Sequence, residues 1–341
     1  MSHGNAYALD EIPVDLSSWT EQGAVLSSGP SGSWDERIYK AKVAGIEKKD
    51  GVYYLYYLSG SEGCWNADAD TRHVSLGLAT STDGVNFTKY AGNPVLIPHD
   101  FVPVSSHEEG IRTGAVRYIP EEGMWLGYFG VESPGGANSC PFMGSQSQCD
   151  CNIEVDSYIY TATSTDGKNW TVQGSVNGVN NKSGDENYPD DFQYHNGQYY
   201  LWSHKAQGGQ MHYAASGSDY KNLTNLGSIS KLCWGWSSIK TFLHDDGNTV
   251  TAIYNPDGGC APSNDNTYFS NTSLSNMTSF SNETVVHNKA TQSYNAIYKD
   301  TSTGVWRWYY TVKNAGTIQL RTHPIAGIKA APKPPGQFTV K

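Results

Sequence analysis

Acidic residues gather at three places along the chain, in a spacing that could do acid–base chemistry. The segments are WDERIYKAKV (Trp34 to Val43), HEEGIRTGAV (His107 to Val116) and GDENYPDDF (Gly184 to Phe192). Anchoring on Val43, Val116 and Phe192 places Glu36, Glu109 and Asp185 seven residues upstream, with Asp35, Glu108 and Glu186 within one position of that register. Two further segments, KLCWGWSSI and HNKATQSYNAI, bring Trp234, Trp236, His287 and Gln292 to the corresponding region. Converging carboxyls, flat rings and a few basic groups are the equipment for cleaving a glycosidic bond. One acid protonates the leaving oxygen, another acts as base or nucleophile, and rings lie against sugar faces. Arg112, four places before Val116, could grip a carboxylate or sugar hydroxyls through its bidentate fork, or equally form a surface salt bridge.

Acids in register need a scaffold that repeats. The run ATSTDGVNFT (Ala79 to Thr88) returns as ATSTDGKNWT (Ala162 to Thr171), then more loosely as AASGSDYKNLT (Ala214 to Thr224) and SNTSLSNMT (Ser270 to Thr278). Taking Asp83, Asp166, Asp219 and Ser273 as equivalent, the intervals are 83, 53 and 54 residues. A unit of roughly 55 residues fits, with about 30 inserted between the first two copies. Five aromatic and β-branched runs suit central strands: VYYLYYLSG, MWLGYFGVE, QYYLWSH, TVTAIYN and VWRWYYTV. Polar turns precede them, namely KKDG, PEEG, YHNG, HDDG and DTSTG. Each unit reads as four short strands with hardly a helical period. Five such units predict an all-β, five-bladed β-propeller of four-stranded antiparallel blades, in which radial closure protects the sheet edges. A single domain over 1–341 is expected, with the ring at about 15–330. The segment from Trp19 to Leu26 is expected to supply the outer strand that the last unit lacks.

Composition narrows the partners. Twenty-three Lys and Arg against thirty-three Asp and Glu give a net charge of −10, the wrong sign for a phosphate-backbone binder, so no nucleic acid is expected. Apolar runs fall far short of the roughly 20 residues of a spanning helix, so no membrane partner is expected either. Neither a GxGxxG between strand and helix nor a phosphate loop indicates a nucleotide cofactor. Six cysteines (Cys64, Cys140, Cys149, Cys151, Cys233 and Cys260) and seven Asn-x-Ser/Thr sequons suit a secreted glycoprotein with up to three disulfides. The opening MSHGNAYALDEIPVD lacks the apolar stretch of a signal peptide, so the expectation is a mature secreted chain whose signal has been cut off. Sequons also arise by chance in a chain so rich in Asn, Ser and Thr. Cys149 and Cys151 stand too close together for the usual zinc ligand pair.

The unit YYLYYLSG followed by VSLGLATSTDGVNFTKYAGNPVL resembles the five-bladed β-propeller glycoside hydrolases, the broad set containing arabinanases, arabinofuranosidases, β-xylosidases, levansucrases and invertases, and within it the family 43-like arabinanase, β-xylosidase and arabinofuranosidase type. The resemblance implies one acid from each of the first three blades. Asp35 would be base or nucleophile, Glu109 the middle acid that tunes pKa and orients substrate, and Glu186 the general acid; Glu36, Glu108, Asp185 and Asp190 are the alternatives. The chain departs from the pattern in three places. Asp35 lies in WDERIYK rather than an Asp-Pro signature, the middle acid is Glu, and YPDDF carries Tyr188 where Asp is usual. Trp34, Arg112, Tyr188, His204, Trp234, Trp236 and Gln292 are the expected substrate contacts. His107, His212 and His244 could hydrogen-bond to sugar or serve structure. No cofactor is required; a structural calcium, or an ion near His287, is what some such relatives carry. The expected protein is a monomer acting on a carbohydrate, with inversion preferred because the invertase Asn-Asp-Pro entry is absent. Inversion needs carboxyls about 6.5–9.5 Å apart, retention about 5–5.5 Å. Two other readings stay open: a non-catalytic carbohydrate-binding propeller, and a polysaccharide lyase using Tyr188 or His204 as base with Arg112 neutralising a uronate.

Overall fold

Every aromatic run of the sequence becomes the second strand of a four-stranded antiparallel sheet in the computed structural model. It describes residues 12–13, 15–60, 74–101, 110–134, 155–179, 187–205, 211–229, 239–254, 266–281, 284–288, 291–312 and 316–327. Strand β1 (Thr20–Ser27) comes before the first sheet. Blade one is β2 (Arg37–Lys49), β3 (Val52–Gly60), β4 (Ser75–Ser81) and β5 (Thr88–Lys89). Blade two is β6 (Gly110–Ile119), β7 (Met124–Pro134), β8 (Val155–Ser164) and β9 (Thr171–Ser175). Blade three is β10 (Asn187–His195), β11 (Gln198–Lys205), β12 (Met211–Asp219) and β13 (Asn222–Ser228). Blade four is β14 (Lys240–Leu243), β15 (Thr249–Tyr254), β16 (Asn266–Ser273) and β17 (Thr284–Asn288). Blade five is β18 (Thr291–Asp300), β19 (Val305–Val312) and β20 (Thr317–Pro324), completed by β1 on the outside of β20. The first strands form the inner ring: β2 packs on β6 and β18, β10 on β6 and β14, and β14 on β18. The architecture is therefore the five-bladed β-propeller that the repeats predict. Pairing of β1 with β20 from Thr20↔Thr322 to Ser27↔Thr317 closes the ring as expected.

The polar turns are built as their residues require. Asp50-Gly51 and Asn196-Gly197 both take positive φ at two successive positions (52° and 79°, 50° and 75°), the two-residue hairpin geometry that matches strand twist. The repeated Ser-Thr-Asp-Gly run is a side-chain-built turn. Asp83 Oδ1 accepts from the backbone N–H groups of Val85 and Asn86 and from Ser81 Oγ, all at 2.8 Å. Asp166 repeats the pattern with Lys168, Asn169 and Ser164. Against the upward push of burial, these bonds hold Asp83 down to about 2 and Asp166 lower still. The turn also explains two sequons: Asn86 and Asn169 donate their side-chain amides to the same aspartates at 2.7 Å. Asn271, in another sequon, is buried and accepts from Thr251, so the folded chain does not present it. All six cysteines lie outside the described residues.

Apolar packing is distributed between the blades. Among the described residues each of the five buried clusters joins two neighbouring sheets, as where Val25, Leu26, Tyr309 and Leu320 of blade five meet Val43, Tyr53 and Leu55 of blade one. A recurring tyrosine stitches the ring. The fifth residue of β3, β7 and β19 donates its hydroxyl to a backbone carbonyl in the outer turn of the next blade: Tyr56 to Gly167 (2.7 Å), Tyr128 to Tyr220 (2.9 Å) and Tyr309 to Gly84 (2.8 Å). The equivalent places in blades three and four hold Trp202 and Ile253.

Candidate active site

Strand boundaries sharpen the register of the acids. β2 begins at Arg37, which makes Glu36 the residue directly before the innermost strand of blade one, and the innermost strands of blades two and three are described from Gly110 and Asn187 onward. Glu109 and Glu186 themselves lie outside the described residues, as do His107, Glu108, Asp185, Trp234 and Trp236. Gln292 falls on β18 and His287 on β17, but their side chains are outside the described set.

The two acids of blade one have different surroundings. Asp35 is 4% exposed; one carboxylate oxygen is bound by Lys89 Nζ at 2.5 Å and lies 3.5 Å from the Tyr57 hydroxyl, and the other accepts from Ser33 Oγ at 2.9 Å. Lys89 belongs to β5, the outermost strand, so the Asp35 carboxylate is directed across the blade rather than toward the axis. Burial, with the Asp35 charge beside it, pushes the Tyr57 hydroxyl well up. Trp34 stacks on Tyr57 with ring centroids 6.0 Å apart, over Gly77, where an added Cβ would stand 2.7 Å from the Trp34 ring. Glu36 is half-buried. Its Oε2 accepts from the Gly32 N–H at 2.9 Å, and its other oxygen has no hydrogen-bond partner among the described residues.

In blade three the structure brings together Tyr188, Asp190, His204 and His212. Asp190 Oδ1 lies 2.7 Å from His204 Nδ1 and Oδ2 lies 3.1 Å from His212 Nδ1. All three are buried, and Tyr188, also buried, packs its ring 5.2 Å from that of His204. Burial alone would raise Asp190, but the two imidazoles hold it well below the usual carboxylate range. These four side chains sit inside the blade, not on an open wall. Arg112 is half-buried on β6 as the extra residue of a bulge between Ile111 and Thr113, and its carbonyl accepts from Lys42 Nζ of blade one.

The axis is filled by basic residues that the repeat pattern and the acid-bearing segments do not single out. Lys240, the first residue of β14, sends its buried ammonium to the carbonyls of Gly114 (3.0 Å) and Asp190 (2.9 Å); burial lowers its pKa, opposed by Asp191 and Asp190. Arg117 of blade two reaches Asp191 Oδ2 of blade three at 2.8 Å, the Thr241 carbonyl of blade four at 3.0 Å and Glu47 of blade one at 3.5 Å. Contacts to three other blades place the guanidinium in the central channel. Glu47, Arg117, Gln193, Phe242 and Tyr298 each stand three residues before a hairpin turn, the signal that could have marked this lower ring.

No protein-family model matches the sequence, and no match was found among curated proteins. Solved structures do match. A glycosyl hydrolase from Bacteroides ovatus superposes with a TM-score of 0.59 at 14% identity, over 91% of this chain and 93% of that one. The GH32 β-fructofuranosidase BmSUC1 of Bombyx mori, solved with sucrose, gives 0.59 at 12% identity over 90% and 66%. A β-1,2-mannobiose phosphorylase from Listeria innocua gives 0.54 at 16% identity over 90% and 95%. The chain shares their propeller fold. At these identities the likeness is one of architecture, and three differently described activities stand on it, so chemistry must be argued from the site.

Proposed function

We propose that this protein cleaves glycosidic bonds of an oligo- or polysaccharide at the mouth of the propeller, where the innermost strands begin. The reading rests on one observation: the acid pairs Asp35–Glu36, Glu108–Glu109 and Asp185–Glu186 stand in the sequence immediately ahead of Arg37, Gly110 and Asn187, from which the innermost strands of three successive blades are described. Glu186 is the general acid, Glu109 the middle acid, and Glu36, rather than Asp35, the base. Asp35 is unsuited because both of its oxygens are engaged and it is almost wholly buried, whereas Glu36 is part-exposed with one oxygen to offer to a water. Asp35 instead anchors the turn that carries Glu36. A general acid must keep its proton near neutral pH, which two neighbouring carboxylates favour by like-charge repulsion. Inversion is the course proposed, with Glu36 activating water on the face opposite Glu186.

The test is a screen of aryl-glycosides and plant and fungal polysaccharides for reducing-sugar release, with and without inorganic phosphate. Glu186→Gln and Glu36→Gln are expected to lower kcat by about 10²- to 10⁴-fold, with the first-formed anomer inverted by proton NMR. Equal activity in wild type and Glu186→Gln would remove the acid assignment. Product appearing as a sugar phosphate would make phosphate the acceptor. No cleavage together with measurable glycan binding would make the propeller a binding module.

A further inference from the structure

Three metal-capable side chains converge inside blade three. Asp190 is the extra residue of a bulge in β10, between the pairs Pro189↔Ser203 and Asp191↔Trp202. His204 on β11 and His212 on β12 are direct cross-strand partners. The three donors therefore come from three adjacent strands of one sheet, and the backbone hydrogen bonds of that sheet hold them in place. They are 0%, 5% and 5% exposed. One ligand atom from each lies within 4.8 Å of the other two, and the carboxylate oxygens stand 2.7 and 3.1 Å from the two Nδ1 atoms.

We propose that Asp190, His204 and His212 bind one divalent transition-metal ion of the zinc type. Metal bonds of about 2.0–2.2 Å in a tetrahedron put neighbouring ligand atoms about 3.3–3.6 Å apart, within the 4.8 Å over which the three donors converge, so small side-chain rotations would open the carboxylate–imidazole contacts to admit an ion. One carboxylate oxygen and two imidazole nitrogens suit zinc, cobalt or nickel; calcium and magnesium take oxygen ligands. The cation would also neutralise a fully buried carboxylate. Three protein ligands leave a further position to water or to another side chain. The ion ties β10, β11 and β12 together close to where β10 starts, and so fixes the strand that follows Glu186.

The experiment uses the full-length protein, stripped with EDTA and dialysed, then titrated with Zn²⁺ or Co²⁺ by calorimetry and by visible absorption. One ion per chain, a rise in Tm with Zn²⁺ and Co²⁺ d–d bands that saturate at one equivalent are expected. His204→Gln and His212→Gln should each weaken binding at least 10-fold, while His323→Gln on blade five should not. A folded wild-type protein that shows no one-equivalent saturation overturns the proposal, and that measurement needs no variant. Unchanged affinity in folded His204→Gln and His212→Gln overturns it as well. Both readouts are independent of activity, so they stand apart from the fate of the hydrolase reading.

Discussion

At the residue scale, function turns on which acids are held by protein and which are left to substrate. Asp35 and Glu36 are neighbours, yet one closes an ion pair with the outermost strand and the other, among the described residues, leaves an oxygen unengaged. Asp35→Asn is accordingly expected to lower stability, read by urea unfolding, more than it lowers kcat, with the reverse order for Glu36→Gln. Glu47 makes a separate, pH-dependent case. Burial in the channel raises it to about 7, Arg117 opposing and Asp191 adding to the rise. Between its ordinary value of 4.5 and 7 the folded chain holds a proton that the unfolded chain gives up. The contribution to stability is thus complete below 4.5 and is lost as pH climbs through 7. Glu47→Gln should flatten the dependence of unfolding free energy on pH across that window and should be more stable than wild type above it. Denaturation curves at pH 5 and pH 8 check this; an unchanged slope would refute it.

At the element scale, the blades depend on turns built by side chains and on close approach between inner strands. Asp83→Ala removes the acceptor of two backbone N–H groups and should cost about 1 kcal/mol at neutral pH. Because hydrogen bonds depress this carboxylate to about 2, its contribution is present above the ordinary value of 3.8 and fades as pH falls toward 2, so wild type and variant should converge in acid. Gly45 lies where β2 meets β6: an added Cβ would stand 2.1 Å from the Val116 carbonyl oxygen. Gly45→Ala should cost about 1–3 kcal/mol through displacement of the two strands, measured by thermal and urea unfolding. The repeated Asp-Gly turns and aromatic runs were legible in the sequence because turn chemistry and strand propensity are local. The bulges that set Arg112 and Asp190 out of step were not, since a bulge is defined by the partner strand.

At the scale of the whole molecule, closure is made by a strand from the far end of the chain. Deleting residues 1–27 would leave β20 as an open edge and remove Val25 and Leu26 from the cluster between blades five and one. Burial of each such side chain is worth about 1.5–3 kcal/mol. The truncated protein is expected to show a lower Tm by calorimetry and self-association by size exclusion, and a ring that closed without β1 would keep both unchanged. The number of blades, the order of strands within each, the strand that closes the ring and the three acid-bearing segments were all readable from the chain of residues. All of these follow from periodicity and turn residues, which act over a few positions. Tertiary structure alone decided that Asp35 faces Lys89 across its blade, that Arg117 joins four blades in the channel, and that Asp190 meets His204 and His212. Those partners are 14 to 124 residues apart in the chain, and contacts at such separations are set by how sheets pack and where bulges shift their register.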